Sequence, residues 1–325
     1  MSFISYDVQE MPYPDERREA DLSQTAKMGL PTMWCREIST ARKRREKVVK
    51  NDLRDSLECF NSFMSNGLVR VGTSGYSFED WRGVFYPEKI EKTKMLDYYI
   101  DHFDTVEINS TYYGIPHPRV FEAMAKKTPV GFDFMAKAHQ SLTHKREQLA
   151  QETPKYLAAI QPLVESGKFK GVLAQFPWSF QRLPAHADHL RKCRDALADL
   201  PLFVEFRHSS WVEQDTFDLL KSLEIGYVSV DEPQLEKMVE PIAVATTSVG
   251  YVRFHGRNAK DWYSGKGSER YNYSYSGDEL AGWVKRIRRL QQDTEVIYLF
   301  FNNCHLGQAV FNAKQIMEML DVQRN

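Results

Sequence analysis

The octapeptide VEFRHSSW at residues 204–211 places three chemically competent side chains at the end of an apolar strand. Glu205 can transfer a proton, Arg207 can bind an anion through two parallel hydrogen bonds, and His208 titrates near neutral pH. Residues two apart share a strand face, so Glu205 and Arg207 point the same way. Burying such groups without partners is costly, so we expect them to contact one another or a ligand.

Similar polar residues recur at the ends of other β-rich runs. Glu107 and Asn109 form one pair with the same two-residue spacing, and Arg253 and His255 form another. Other strand-end candidates are Tyr76, Lys137, Gln175, Asp231, Asn302 and Asn303. A single strand-end polar residue is usually a turn or a helix cap, but its recurrence at successive strands indicates a common site.

The elements that must position these residues are eight short β-rich runs separated by helical patterns. The runs are 68–74, 104–110, 131–137, 171–176, 202–206, 226–231, 250–256 and 295–303. Helices are predicted at 93–103, 118–127, 155–165, 186–198, 215–223, 278–290 and 307–320, whereas residues 232–249 contain at best a short helix. This alternation predicts an α/β fold, a single (β/α)₈ TIM-type barrel over residues 68–325, with a doubly wound open sheet as the alternative. In a barrel the carboxyl ends of the strands meet at one mouth.

The chemistry at this mouth suits a small anionic or polyhydroxylated ligand. Candidate anion-binding groups are Lys137, Arg207 and Arg253, and candidate hydroxyl-binding amides are Asn109, Gln175, Asn302 and Asn303. Candidate proton-transfer residues are Glu107, Glu205, His208 and Asp231. We therefore expect an enzyme, of the hydrolase or isomerase class, that acts on a phosphate-bearing or sugar-like substrate. The spacing does not assign individual roles to the carboxylates.

No cofactor is predicted, because neither a dinucleotide-binding G-x-G-x-x-G motif after the first strand nor a P-loop motif is present. A divalent metal is an alternative, with Glu107, Glu205, His208, Asp231 and His255 as candidate ligands. Arginines at the same mouth can supply the positive charge instead, and this favours the metal-free interpretation.

Nucleic-acid binding or repair, including metal-dependent phosphodiester hydrolysis, is the alternative function. Residues 255–277 interleave basic and aromatic side chains, which can grip phosphates and stack bases. The same segment is equally typical of a lid over the mouth, and this is the interpretation that we favour. A non-catalytic ligand-binding barrel is a third hypothesis.

Composition restricts these functions only weakly. The chain has 325 residues, 42% of them hydrophobic, and a formal net charge of −1, so no global bias toward nucleic acid or membrane exists. A cytoplasmic protein is predicted, because the four cysteines are widely spaced and the sequence shows neither a secretory leader nor an apolar run of membrane length. Residues 1–67 form a charged extension, expected to be partly helical or disordered; its RKRREK stretch is an alternative phosphate-binding element. Oligomeric state is not indicated.

Seven sequence blocks in order resemble the domain of unknown function 72 family over residues 68–321. They are VGTSGYSFEDWRGVFYP, FDTVEINSTYYGIPHP, GVLAQFPWSF, VEFRHSSW, VSVDEP, YVRFHGR and FFNNCHLGQAVFNA. The resemblance implies a TIM-type barrel of unestablished biochemical role. It adds Trp81, Tyr112 and Trp211 to the functional candidates. The other candidates that it implies are Tyr76, Glu107, Asn109, Gln175, Glu205, Arg207, His208, Asp231, Arg253, His255, Asn302 and Asn303.

Overall fold

Eight parallel strands with intervening helices form one nearly closed barrel in the computed structural model, which describes residues 67–197, 199–263 and 269–322. The strands are β1 (Leu68–Thr73), β2 (Thr105–Ile108), β3 (Asp133–Lys137), β4 (Phe169–Gln175), β5 (Leu202–Glu205), β6 (Ile225–Asp231), β7 (Val249–Phe254) and β8 (Val296–Phe301). Their spatial order is β1-β8-β7-β6-β5-β4-β3-β2. The (β/α)₈ prediction is confirmed. The predicted extension lies outside the described residues, apart from Gly67.

The helices cover the outside of this barrel. They are α1 (Met95–Tyr99), α2 (Pro118–Lys127), α3 (Gln140–Thr143), α4 (Leu149–Glu165), α5 (Pro184–Leu197), α6 (Gln214–Ser222), α7 (Gly277–Leu290) and α8 (Gln308–Met319). The short α3 was not predicted, and α4 begins six residues before the predicted start at 155. Residues 232–248, all of them described, join β6 to β7 without a helix.

Local sequence explains why α7 starts where it does. The Ser276 side chain accepts from the Glu279 amide, and the Glu279 carboxylate accepts from the Ser276 amide at 2.9 Å. This capping box satisfies two backbone donors that a helix start leaves unpaired. Buried apolar residues at helical spacing, among them Trp283 and Ile287, then face the sheet. Among the described residues no helix is long and apolar enough to cross a bilayer.

The barrel closes between β1 and β2 through a tyrosine hydroxyl as well as through backbone hydrogen bonds. The Gly75 amide donates to the Glu107 carbonyl at 2.8 Å at the carboxyl end of the seam. Further down, the buried Tyr99 hydroxyl accepts from the Thr73 amide at 3.0 Å and donates to the Thr105 carbonyl at 3.1 Å. Tyr99 thereby satisfies two backbone groups that have no direct ladder partner across this seam.

We predict that Tyr99→Phe destabilises the barrel by about 1–3 kcal/mol, because it leaves a buried amide and a buried carbonyl unsatisfied. Chemical denaturation measures the change. Tyr113→Phe is the matched control, since Tyr113 is 78% exposed, and it should change stability by less than about 0.5 kcal/mol. Equal stabilities of the two variants would contradict the role of Tyr99 in closing the barrel.

Candidate active site

The floor of the barrel mouth is organised around Arg253 on β7, which is 1% exposed. Its Nη2 donates to Glu107 Oε1 at 2.7 Å, and its Nη1 donates to Glu205 Oε2 at 2.5 Å. Tyr251, two residues earlier on the same strand face, donates its hydroxyl to Glu107 Oε2 at 2.5 Å. A buried cation therefore links two buried carboxylates that come from β2 and β5.

Glu205 is shared between two guanidinium groups. Its Oε1 lies 2.7 Å from Nε of Arg207, while its Oε2 accepts from Arg253. Burial alone would raise the pKa of Glu205, but Arg207 and Arg253 outweigh burial and hold that pKa well below its usual range. Glu205 therefore remains an ionised carboxylate at neutral pH and has no proton to donate there.

His255 completes the floor as a neutral imidazole. Its Nε2 lies 3.2 Å from Glu205 Oε1 and 3.1 Å from Arg207 Nη2. Burial, together with the Arg207 charge, lowers the pKa of His255 to about 3. Asn302 Nδ2 lies 3.0 Å from the ring Nδ1. With Asn302 donating to Nδ1, the single ring proton resides on Nε2 and faces Glu205.

Glu232 joins the cluster, although sequence reasoning missed it. The side chain is 1% exposed, and its Oε2 accepts from Arg207 Nη1 at 2.6 Å. Its Oε1 is buried and has no hydrogen-bond partner among the described residues. Burial raises the pKa of Glu232 to about 7, with Glu205 adding to the rise and Arg207 opposing it. Glu232 can therefore exchange a proton near neutral pH.

Lys137 approaches the same floor from β3. Its Nζ donates to Gln175 Oε1 at 2.9 Å, and the same oxygen accepts from Arg253 Nη1 at 3.3 Å. The Nζ also lies 4.5 Å from the centre of the Tyr112 ring. Burial, reinforced by the nearby Arg253 charge, lowers the pKa of Lys137 to about 7. A substantial fraction of this amine is therefore neutral at physiological pH.

A cleft of about 240 Å³ opens above this floor. Its lining includes Gln175, Trp178, Arg207, Trp262, Arg270 and Tyr271. Arg207 thus belongs to the buried ion network and also lines the cleft. The cleft combines a guanidinium at its base with aromatic walls, an arrangement that can bind the charged and the apolar parts of one ligand.

Part of the aromatic wall comes from the described residues of the segment 255–277. The Arg207 guanidinium lies 5.6 Å from the Trp262 ring centre, and the Arg270 guanidinium lies 5.9 Å from it. Arg270 also lies 6.0 Å from the centre of the Tyr271 ring. These distances are within the range of cation–π attraction, which holds the segment against the mouth.

Comparison with protein families identifies the barrel. The family model described as "Protein of unknown function DUF72" matches residues 70–325. The chain belongs to the DUF72 family. This match confirms the resemblance inferred over residues 68–321, and it carries no biochemical activity with it.

Relatives of this DUF72 chain cover nearly all of the barrel. The UPF0759 protein YunF of Bacillus subtilis (strain 168) is 32% identical over 273 residues, which cover 79% of this chain and 96% of that protein. A DUF72 family protein of Thermotoga maritima MSB8 is 41% identical, with a TM-score of 0.74 over 78% of this chain and 99% of its own. A DUF72 family protein of Enterococcus faecalis V583 is 27% identical, with a TM-score of 0.72 over 79% and 97% of the two chains.

The DUF72 barrel brings together most of the residues that the strand-end argument selected. The floor and its edge contain Glu107, Lys137, Gln175, Glu205, Arg207, Arg253, His255 and Asn302. Asn109 follows the end of β2, two residues after Glu107, and its Oδ1 is a buried acceptor without a partner among the described residues. Tyr112 lies beside Lys137 and also contacts His144, which lines the cleft.

Asp231 lies on the other face of β6, and its expected place in the mouth needs correction. Cross-strand pairing aligns Asp231 with Phe254, one residue after the inward-facing Arg253. Its carboxylate accepts two hydrogen bonds from Arg257, at 2.8 and 2.7 Å, one from the Tyr275 hydroxyl and one from Trp283 Nε1. These contacts tie β6 to α7 and to the segment before it.

Both tryptophans implied by the family resemblance lie in packed layers outside the floor. Trp81 is fully buried, and its Nε1 donates to the Cys304 carbonyl at 2.7 Å. Trp211 is also fully buried, donates to the Phe180 carbonyl at 2.6 Å and stacks on Phe206 at 4.3 Å between ring centres. Each indole therefore supports the loops at the mouth, and the contacts of neither include the ion network.

Three further candidates also make contacts outside the carboxylate cluster. His208 Nδ1 accepts from the Ser210 amide at 3.1 Å, and its ring contacts Trp178 on the cleft wall. The Tyr76 carbonyl accepts from the Tyr86 hydroxyl at 2.6 Å. Asn303 Nδ2 donates to the Tyr273 carbonyl and to Asn312 Oδ1, linking the segment 255–277 to α8.

The five candidate metal ligands do not gather at one point. Arg253 lies between Glu107 and Glu205, while Asp231 faces away and His208 caps a turn. Within the described residues, no group of three or more His, Cys, Asp or Glu side chains is arranged to hold a metal ion. The positive charge at the floor comes from the guanidinium groups of Arg207 and Arg253.

Asp231→Asn should lower the free energy of unfolding by about 1–3 kcal/mol, because an amide cannot accept on both sides from Arg257, Tyr275 and Trp283. Chemical denaturation measures the loss. Asp188→Asn is the control, since Asp188 is an exposed partner of Arg191, and surface pairs contribute about 0–1 kcal/mol. A loss no larger than that of the control would show that the Asp231 contacts do not stabilise the barrel.

Stability should rise with pH between about 7 and about 10 through Lys137. In the folded chain this amine loses its proton near pH 7, whereas in the unfolded chain it keeps the proton up to its ordinary pKa of 10.5. Between those values the unfolded state binds more protons, so raising the pH favours folding. Urea denaturation of the wild type and of Lys137→Met across this range should show the rise in the wild type alone. Lys126→Met, which removes an exposed lysine of α2, should retain it; a parallel pH profile of wild type and Lys137→Met would refute the assignment.

Proposed function

We propose that the barrel mouth is the active site of an enzyme that acts on a small phosphate-bearing or sugar-like substrate by acid/base catalysis. The observation that carries this proposal is the position of Arg207. Its guanidinium is held at 2.7 Å by Glu205 and at 2.6 Å by Glu232, and it still lines the cleft. An anion-binding group that is fixed before the ligand arrives loses little entropy on binding.

The cleft walls supply the second half of the binding proposal. Trp178, Trp262 and Tyr271 offer aromatic surfaces, against which the apolar face of a sugar ring can pack. Arg270 adds a second guanidinium near the rim. The charged group of the substrate would then contact Arg207 at the base of the cleft, and its ring would lie between the aromatic side chains.

Proton transfer is assigned to Lys137 and Glu232. General acids and bases work best when their pKa values lie near the working pH, and the pKa of each group is shifted to about 7. Glu205 is held ionised by two guanidinium groups, so its proposed role is to position Arg207 and Arg253. Hydrolysis and isomerisation both require such proton transfers, so the proposed function includes both reaction classes.

One observation favours nucleic-acid binding as a second candidate function. Trp178 is 40% exposed and Tyr263 is 66% exposed, and both line the cleft beside Arg270. Exposed aromatic rings near a cation can stack on the bases of a single strand while the cation contacts a phosphate. This contact would use the rim of the same cleft, so the two functions can be separated only by measuring which ligand binds.

The test is a thermal-shift screen with sugar phosphates, free sugars and single-stranded DNA at two salt concentrations. Specific binding at about 100 times the dissociation constant stabilises a protein by about 2.7 kcal/mol. We expect sugar phosphates to raise the melting temperature. Arg207→Lys should weaken that binding by about tenfold or more, because lysine cannot reproduce the bidentate geometry.

Arg191→Lys is the matched control, since Arg191 lies on the exposed face of α5 and should leave the shift unchanged. A shift that survives Arg207→Lys in full would place the binding elsewhere. A shift with DNA alone that disappears at high salt would favour the nucleic-acid function, because phosphate contacts are screened by salt.

A further inference from the structure

The amine of Lys137 occupies an unusual electrostatic position for a lysine inside a barrel. Among the described residues, its hydrogen-bond partner is the neutral amide oxygen of Gln175. The permanently cationic Arg253 donates to the same oxygen at 3.3 Å. No carboxylate within the described residues forms an ion pair with Lys137, because Glu107 and Glu205 are already bound to Arg253.

Lys137 lies next to side chains that line the cleft. Gln175, its hydrogen-bond acceptor, lines the cleft, and so does His144, which contacts the neighbouring Tyr112 ring. The lysine side chain is only partly buried, unlike Arg253 and Glu107 beneath it. A neutral amine at the edge of a cleft is a nucleophile, since the lone pair that a proton would occupy is free to attack carbon.

We propose that Lys137 forms a covalent imine with the carbonyl group of the substrate, which assigns the substrate class as a phosphorylated or polyhydroxylated aldehyde or ketone. This inference rests on the proposed function, because it requires such a ligand in the cleft. Arg207 then binds the anionic group, and the carbonyl carbon lies beside Lys137.

The proposed covalent step balances without an oxidant or a reductant. The amine nitrogen attacks the carbonyl carbon, a C–N bond forms, and a proton passes from nitrogen to oxygen to give a carbinolamine. The C–O bond then breaks, the oxygen takes one proton from solvent and leaves as water, and a cationic iminium remains on Lys137. Hydrolysis reverses these steps and restores the amine.

The iminium suits the chemistry that the proposed function needs. Its positive charge withdraws electrons from the adjacent carbon, so a proton on that carbon is removed more readily than in the free carbonyl compound. The Tyr112 ring, 4.5 Å from Nζ, presents a negative π face to this cation. A pKa near 7 means that Lys137 is sufficiently deprotonated to begin the reaction at physiological pH.

Borohydride trapping tests the imine directly. The full-length protein is incubated with dihydroxyacetone phosphate, with an aldose phosphate panel or with pyridoxal 5′-phosphate, reduced with borohydride, and mapped by peptide mass spectrometry. Reduction converts an iminium into a stable secondary amine of defined added mass. We expect label on Lys137 to exceed label on exposed lysines such as Lys126 by about tenfold or more, because ordinary lysines are almost wholly protonated at neutral pH.

Two variants keep the result interpretable. Lys137→Arg retains a cation and a donor to Gln175 but cannot form an imine, so it should fold and lose the label. Lys126→Met should leave the label on Lys137 unchanged. Label distributed evenly over exposed lysines, with none in excess on Lys137, would overturn the imine.

Oxygen exchange separates this inference from the proposed function. An imine replaces the carbonyl oxygen, so the wild type should catalyse exchange of that oxygen with ¹⁸O-labelled water and Lys137→Arg should not. If the protein binds or turns over a ligand but shows neither oxygen exchange nor borohydride trapping, the imine is wrong. That result would not contradict the proposed acid/base enzyme. No thermal shift with any sugar or sugar phosphate would count against the proposed function itself.

Discussion

The buried guanidinium of Arg253 is the interaction on which the rest of the mouth depends. It is 1% exposed and holds Glu107 on β2 and Glu205 on β5 within 2.7 Å. Taking three ions out of water costs several kcal/mol for each, and only close mutual contact offsets that cost. The positions of β2, β5 and β7 therefore depend on the contacts among these three side chains.

This arrangement removes Glu205 from proton transfer near neutral pH. Because Arg253 and Arg207 stabilise the ionised form of Glu205, its pKa lies far below neutrality. The groups whose pKa values lie near 7 are Glu232 and Lys137, at the edge of the ion network. Glu232 has one oxygen on Arg207 and one that has no hydrogen-bond partner among the described residues, and Lys137 shares an acceptor with Arg253. Burial is the main cause that disfavours the charged form of each group, and the pKa of each is about 7.

The sequence predicts the barrel well because eight apolar runs and their helical spacers are local patterns. It also predicts that Glu205, Arg207, Arg253 and His255 converge, since two-residue spacing and a shared barrel end suffice. The sequence does not show which of the neighbouring acids, Asp231 or Glu232, contacts the floor of the mouth. That choice depends on the register between β6 and β7, where Val230 pairs with Arg253, and register is a property of two strands. The capping role of His208 is likewise set by tertiary contacts.

The charges of the floor are the basis for proposing an anionic carbonyl compound as the substrate. Arg207 and Arg253 form ion pairs with Glu107, Glu205 and Glu232, so both guanidinium groups already have carboxylate partners. Lys137 forms no ion pair with a carboxylate among the described residues, and its ammonium form is disfavoured mainly by burial and next by the Arg253 charge. In the proposed reaction, an anionic substrate would bring negative charge to the neighbourhood of Lys137, and the iminium would bring the opposite charge. In this proposal, burial favours the free amine before the substrate binds. The negative charge of the bound substrate then favours the cation that forms from the amine.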